Sequence, residues 1–197
     1  AMTSVIALFT NRLLIAYGSS VAMEGYVPAS RFHYVFIMII IGISQGLQPI
    51  IGYNFGSKNC NRMFQTLHYS FRVSFCIGVI ALLIGLFAAK EVMQFMDPSP
   101  ALMEEASKAL FILTVTLPLA SCQILISGFF QHIGSAFKSA ALSLIRQVFF
   151  FIPLILLLPL YWGVDGVWAS LPFSETLAAL LTFIVFYVQK KQMTGKL

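Results

Sequence analysis

GISQGLQPIIGYNFGSKN occupies residues 42–59 and carries an apolar run into a short basic turn. Gln45 and Gln48 are polar side chains within the apolar run, and Pro49 removes a backbone hydrogen bond and tends to bend the helix that contains it. A hydrophobic helix that ends at a basic segment is typical of a chain that crosses a lipid bilayer and turns at its inner surface. The stretch therefore predicts a membrane-spanning helix and its exit.

The end of this stretch contains residues that favour a turn. Gly52 and Gly56 permit tight backbone conformations, and the side chain of Asn54 is suited to capping the end of the helix. Lys58 places a positive charge at the membrane surface. We expect this segment to form a bent helix end at the cytoplasmic surface, and not a ligand site.

The composition of the whole chain agrees with a membrane protein. Of its 197 residues, 59% are hydrophobic and 10% are charged, against about 45–50% and 25% in globular proteins. A soluble fold needs more charge than this to cover its surface, which argues against a soluble enzyme or a disordered tail. The net charge is +5, but the 12 Lys and Arg residues are scattered between apolar runs. A nucleic-acid-binding protein would cluster them on one face.

Apolar runs that approach or exceed the roughly 20 residues needed to span a bilayer recur six times. We expect an all-α fold, a polytopic membrane helix bundle, in which the first helix is cut short because the chain begins inside it. No linker is long enough for a second domain, so residues 1–197 are expected to form a single transmembrane lobe. The six predicted spans are residues 1–17, 31–53, 67–89, 105–131, 138–160 and 166–189.

The charges between the spans predict the orientation of the chain. Three connecting regions contain Lys or Arg without Asp or Glu: the segment 54–66, the start of the fifth span after 132–137, and the C-terminal tail. The alternate loops contain the acidic residues. The positive-inside rule places the first set in the cytoplasm and the loop 90–104 outside. We therefore expect an integral protein of the plasma (inner) membrane with a cytoplasmic C-terminus.

Two charged residues stand inside predicted spans, Arg146 in the fifth and Glu175 in the sixth. A charge at the bilayer centre costs about 2.5–3.5 kcal/mol on insertion scales, so neither is expected to face lipid. Their spans are consecutive and antiparallel, and a long arginine side chain can reach the carboxylate directly or through water. Two interpretations remain open: a proton- or cation-responsive site that lines a cavity, or a buried ion pair that ties two helices together.

Uncharged polar and aromatic side chains give weaker indications of a cavity. Thr116, Gln123 and Ser127 lie roughly on one face of the fourth span, where they could line an aqueous path or join helices by hydrogen bonds. Phe150 belongs to a run of three phenylalanines, which could bind flat lipophilic cations or face lipid. Prolines inside several spans favour a cavity-forming transporter over a passive bundle.

The sequence predicts neither a catalytic residue nor a metal site. Its three histidines, His33, His68 and His132, are far apart and lie near the ends of predicted spans, without the spacing of metal ligands. The HExxH and Walker patterns are absent. Gly42, Ser44 and Gly46 have the GxSxG spacing, but they lie inside a predicted membrane span and not at the strand-to-helix turn on which a hydrolase carries that motif. An intramembrane hydrolase and an ATP-driven motor therefore have no support, and we do not expect an enzyme.

The stretch 42–59 closely resembles the second helix of the C-terminal lobe in MATE (multidrug and toxic compound extrusion) transporters, with Ser57 where alanine is commoner. The resemblance continues through Arg62. It then includes residues 146–153 and the segment 163–175, GVDGVWASLPFSE, which look like the last two helices of the same lobe. It covers nearly the whole chain.

This resemblance implies twelve helices in two six-helix lobes around a cavity that opens alternately to either side. It implies export of hydrophobic organic cations in exchange for H⁺ or Na⁺, with no other cofactor. The implied partners are the missing N-terminal lobe, membrane lipids and the cationic small molecules, and not nucleic acid. Some family members carry a coupling acid in the fourth helix of this lobe, but residues 106–131 contain no Asp or Glu. The coupling-ion site is therefore expected outside this segment.

Two other functions stay open on the sequence alone. A lipid-linked saccharide flippase of related architecture would need a more basic cavity, for which Arg146 is thin support. A non-transporting membrane scaffold subunit would need no coupling or substrate site at all.

Overall fold

A computed structural model of the chain describes residues 10, 12, 13, 20–96 and 100–194. Within these ranges the chain is helical and contains no strand, so the all-α fold class is confirmed. The predicted span 1–17 lies almost wholly outside the described residues. The helices are α1 (Ser20–Gly56), α2 (Cys60–Phe87), α3 (Ala89–Met96), α4 (Pro100–Thr114), α5 (Leu117–His132), α6 (Ala136–Leu144), a π-helix (Ile145–Phe151) and α7 (Ile152–Thr194).

Three helical stretches are long and apolar enough to cross a membrane, and α4 with α5 make a fourth if the 47° bend between them lies within one span. Both α1 and α2 begin earlier than predicted, at Ser20 and at Cys60 instead of residues 31 and 67. Hydropathy marks the part of a helix that fits the hydrocarbon core, whereas the helix itself continues into the polar layers on either side. Much of the predicted 54–66 loop is therefore helical.

The longest stretch, Ala136–Met193, folds back on itself at Gly163. Gly163 has φ 57° and ψ −130°, which only glycine adopts without strain. A β-carbon built on Gly166 would lie 2.4 Å from the carbonyl oxygen of Leu158, which shows that the two arms meet directly after the turn. Near the other end of the arms, Lys138 hydrogen-bonds to Gln189. The predicted fifth and sixth spans are thus the two arms of one antiparallel hairpin.

The expected helix end around Pro49 is not observed. Helix α1 continues through Pro49 and Gly52 to Gly56. The amide of Asn54 donates to the carbonyl oxygen of Ile50 at 2.7 Å and does not cap the helix with its side chain. A proline removes only one hydrogen bond, whereas ending the helix within the bilayer would expose several backbone groups to lipid.

The turn after α1 has the geometry of a Schellman motif. Lys58 adopts a left-handed conformation with φ 58°, and its N–H donates to the Phe55 carbonyl oxygen at 3.1 Å. The N–H of Asn59 donates to the Asn54 carbonyl oxygen at 2.8 Å. The side chain of Asn59 then accepts from the N–H of Arg62 and caps the start of α2. The positive φ lies at Lys58, and not at either of the glycines expected to make the turn.

Two apolar clusters form the core of the described chain. The first contains Leu110, Leu113 and Trp168, and the second contains Phe129 and Phe130. Helices α1 and α7 each contribute to both clusters, one after the other along their length. The break between α4 and α5 lies between the two clusters, and so does the polar site described next.

Helix α2 packs tightly against this break through two glycines. A β-carbon built on Gly78 would lie 2.7 Å from the Cα of Pro118 and 2.8 Å from the carbonyl oxygen of Leu117. One built on Gly85 would collide with the hydroxyl of Thr114. The absence of a side chain at these positions allows α2 to approach the broken helix closely, as small residues do in membrane bundles.

Candidate functional site

A buried carboxylate lies between the two apolar clusters. Glu175, on the second arm of the hairpin, is 4% exposed. The hydroxyl of Thr116 donates to its Oε2 atom at 3.0 Å, and Nη1 of Arg146 lies 3.9 Å from its Oε1 atom. The structure therefore brings together the two charged residues that the sequence singled out, and it adds Thr116 to them.

Thr116 reaches Glu175 because the fourth span is broken. Residues 115 and 116 form a turn between α4 and α5, and Pro118 occupies the first turn of α5, where its missing N–H costs nothing. Thr116 stands at the N-cap position, but its hydroxyl makes no capping bond and donates to the carboxylate instead. The predicted polar stripe is thus interrupted, and the positive end of the α5 dipole adds to the field around Glu175.

Arg146 is presented to Glu175 from a π-helix. Residues Ile145–Phe151 form this rare i→i+5 helix, and the N–H of Ile152 closes it on the carbonyl oxygen of Gln147. Pro153 follows directly and cannot donate the hydrogen bond that a regular α-helix would require at that point. A wider turn before the proline accommodates this loss, and π-helical turns of this kind are frequent at functional sites. The Arg146 side chain remains 34% exposed.

His33 lies beside the same site and was misjudged from the sequence. It is 5% exposed, and its imidazole hydrogen-bonds to the backbone of Leu113, the residue before the end of α4. Its Nδ1 atom has no hydrogen-bond partner among the described residues. The charge of Glu175 acts on both His33 and Tyr26.

The sequence placed His33 near a span end because the second span was predicted to begin at residue 31. Helix α1 begins at Ser20 instead, so His33 lies about 20 Å along it. The signal that could have identified His33 is its position in the full apolar helix, well inside the helix and not at its start.

The other predicted site residues do not join this group in the part of the chain that the structure describes. Gln123 is buried and Ser127 half-buried, one turn apart on α5, and Phe150 is half-buried in the π-helix. Gln45, Gln48, Pro49 and Gly56 are exposed on α1, while Gly52 is half-buried. The four exposed residues therefore face away from the core, whereas Gly52 faces α5, 3.7 Å from the carbonyl oxygen of His132 when a β-carbon is built on it.

The chemistry available at the site is that of charge and protons. Glu175 is an acceptor held by a hydroxyl and a guanidinium, and His33 offers an imidazole that can take up a proton at Nδ1. Such a group can exchange a proton or hold a monovalent cation. Burying such polar and charged groups in the middle of a helix bundle costs free energy unless they bond to one another.

Comparisons with known proteins place this geometry in context. The profile of the MatE family matches residues 1–157. A multidrug export protein, MepA from Staphylococcus haemolyticus (strain JCSC1435), is 28% identical over 193 residues, which cover 98% of this chain and 42% of that protein. The chain therefore spans less than half the length of the curated relatives it matches.

Solved structures show the same fold. A MATE protein in its bent conformation superposes with a TM-score of 0.91 at 21% identity, over 99% of this chain and 43% of that one. A multidrug resistance MATE family transporter superposes in an outward-facing conformation with a TM-score of 0.88 at 23% identity, over 98% and 44% of the two chains. An inward-facing conformation gives 0.88 at 21% identity, over 98% and 45%.

Proposed function

Because this chain belongs to the MatE family of membrane transporters, we propose that it is the C-terminal lobe of a two-lobe exporter of hydrophobic organic cations. Export would occur in exchange for H⁺ or Na⁺. The observation that carries the proposal is the match of 98% of the chain to 42% of a multidrug export protein. A segment of this size corresponds to one lobe, with the N-terminal lobe as its partner.

The proposal includes alternating access. The chain superposes equally well, with a TM-score of 0.88, on outward-facing and inward-facing transporters of the family fold. A lobe that fits both conformations is suited to move as one unit against its partner. The exposed α1 residues Gln45, Gln48 and Pro49 then belong to a surface available to the other lobe, and the rest of the apolar surface meets lipid.

We assign Glu175 and Arg146 a fastening role within the lobe. Glu175 joins the second arm of the hairpin to the break before α5 through Thr116. Arg146, on the first arm, lies across from it. The primary coupling-ion site is expected in the N-terminal lobe, since the fourth span of this lobe lacks an acid.

The test is efflux by the complete two-lobe protein. Inverted membrane vesicles from an efflux-deficient bacterial strain that expresses the protein would be given ethidium in the outer medium, while a proton or a sodium gradient is imposed across the vesicle membrane. We expect ethidium accumulation that one gradient supports and that the matching ionophore, nigericin for H⁺ or monensin for Na⁺, abolishes. The control is the N-terminal lobe expressed alone, which should be inactive.

Other outcomes separate the alternative functions. Translocation of a lipid-linked saccharide without ethidium transport would favour the flippase. A stable complete protein that moves neither substrate would favour a scaffold. Either result would overturn the proposal.

A further inference from the structure

We propose that His33 is a proton-binding residue of this lobe, with the Glu175 carboxylate as its counter-charge and Arg146 as the cation that competes for that carboxylate. This inference deepens the proposed function and rests on it for its role in transport, but not for the binding of the proton itself. It starts from a single unexplained atom. The Nδ1 atom of a 95%-buried imidazole has no partner in the part of the chain that the structure describes, and such orphaned groups need a reason.

The position of His33 supplies that reason. Its imidazole donates to the carbonyl oxygen of Leu113, just before the helix break. Thr116, the second residue of the break, donates to Glu175. The imidazole and the carboxylate are therefore held on either side of the same two-residue interruption, and they interact electrostatically. The break places a neutral base and an acid from two different helices at one level of the bundle.

Several charged and titratable residues among the described ones lie on the elements that meet at His33. Glu175, with Arg146 beside it, lies on the hairpin. Tyr26, Arg31 and Tyr34 lie on the same helix as His33, with the Tyr34 ring edge-on at 6.2 Å. The outer part of α4 contains Glu104, Glu105 and Lys108, which pair with one another in two salt bridges. Burial disfavours a positive charge on this imidazole, and the Glu175 carboxylate favours it.

The proton balance is simple. Because the ring donates to Leu113 and its Nδ1 atom has no partner among the described residues, we infer a neutral imidazole with its hydrogen on Nε2 and a lone pair on Nδ1. A proton from water binds that lone pair and gives an imidazolium, whose new N–H requires an acceptor. The carboxylate of Glu175 is the acceptor of opposite charge nearby. Arg146 is long, one-third exposed and 3.9 Å from the carboxylate, so its hold on Glu175 is loose enough to be shared.

The other histidines lack this arrangement. His132 has both ring nitrogens unpartnered among the described residues, but it is only half-buried, at the end of α5. His68 is exposed on α2. His68 is therefore the matched control.

The experiment is an NMR titration of the complete protein with isotope-labelled histidine. His33→Gln assigns the His33 signal and His68→Gln assigns the control signal. We expect Glu175→Gln to shift the His33 midpoint downward by about one pH unit, a tenfold weaker proton affinity, because the counter-charge is gone. We expect Arg146→Gln to shift it upward, because a competing cation is gone. The His68 midpoint should not change in either variant.

A His33 signal that does not titrate between pH 4 and 9, or whose midpoint is unchanged in a folded Arg146→Gln protein, would overturn the inference. If Glu175→Gln does not fold, the Arg146→Gln shift decides. Ethidium efflux measured against pH gives the functional result: His33→Gln should flatten the profile, and His68→Gln should not. A protein that titrates as expected but exports nothing would contradict the proposed function and leave the proton site intact.

Discussion

Glu175 is held by two donors of unequal quality. The hydroxyl of Thr116 makes a hydrogen bond of ordinary length, whereas the guanidinium of Arg146 lies near the outer limit of an ion pair. A hydrogen bond to a charged group is worth about 1.5–3 kcal/mol, while an ion pair that is partly exposed contributes less. At the scale of single residues, the break in the fourth span therefore matters to Glu175 as much as the arginine does.

Replacing Glu175 with glutamine should destabilise the lobe. The substitution leaves Arg146 without its counter-charge and weakens the bond from Thr116, so we expect a loss of about 1–3 kcal/mol in the free energy of unfolding. Thermal unfolding of the purified complete protein measures it, with Glu104→Gln, at an exposed carboxylate, as the control. Replacing both Arg146 and Glu175 by apolar residues should restore much of the stability.

A Glu175→Gln protein as stable as the wild type would contradict this fastening role. If that stable protein had also lost drug export, the carboxylate would belong to the coupling machinery instead.

Single residues also show what sequence can and cannot give. Arg146 and Glu175 could be paired in advance because charges inside apolar runs are rare and must find each other. Thr116 was assigned to a stripe on a continuous helix, because a proline at position 118 can equally bend a helix or begin one. The role of His33 depends on a contact with the α4 end at Leu113, and the pattern of apolar residues does not show which helices come together there.

At the scale of helices, the interruption between α4 and α5 is supported by α2. The backbone of Pro118 and Leu117 touches the position where Gly78 would carry a side chain. The backbone cannot move aside as the tip of a flexible side chain could, so the fit at this crossing is strict. The position of Thr116 beside Glu175 thus depends on packing against α2, a neighbouring helix that contributes no polar side chain described at the site.

Gly78→Ala tests this support. A β-carbon 2.7 Å from the Cα of Pro118 must push the helices apart, and we expect a loss of about 1–3 kcal/mol in stability. The measurement is again thermal unfolding. Gly56→Ala is the control, because a β-carbon there meets nothing within 4 Å, and it should be neutral or slightly stabilising. Equal effects of the two substitutions would show that α2 does not brace the break.

The helices themselves were predicted better than their ends. Hydropathy located α1, α2 and both arms of the hairpin, because a span must hide its backbone from lipid. It could not show that α1 would pass through Pro49 to a turn at Lys58. Nor could it show a π-helix before Pro153, since both depend on local hydrogen bonding that apolar content does not encode.

At the scale of the whole molecule, the lobe consists of two apolar clusters with a polar layer between them. Helices α1 and α7 cross that layer, and the two arms of the hairpin are joined beside the second cluster by Lys138 and Gln189. The arrangement predicts which ends of the bundle meet the cytoplasm, because Lys138 and the basic tail lie at the same end as the turn after α1 in the positive-inside assignment.

Cysteine labelling of the complete protein in intact cells tests this orientation. In a background without the native cysteines, Asn61→Cys should resist an impermeant maleimide, whereas Glu104→Cys should react. Both positions are exposed, and Lys58 is avoided because its left-handed backbone disfavours a replacement. Permeabilised cells, in which both positions should react, provide the control. Labelling of Asn61→Cys in intact cells would show that the orientation is the opposite of the one assigned.

The π-helix at Ile145–Phe151 also has a consequence for the length of the coding sequence. A turn closed by i→i+5 bonds holds one residue more than an α-helical turn, as if a single codon had been inserted. Removing that codon would restore a regular helix and rotate Arg146 by about 100° relative to the residues after Pro153. A relative with a one-codon gap here should therefore also lack the acid at position 175, because the arginine that faces it would have turned away.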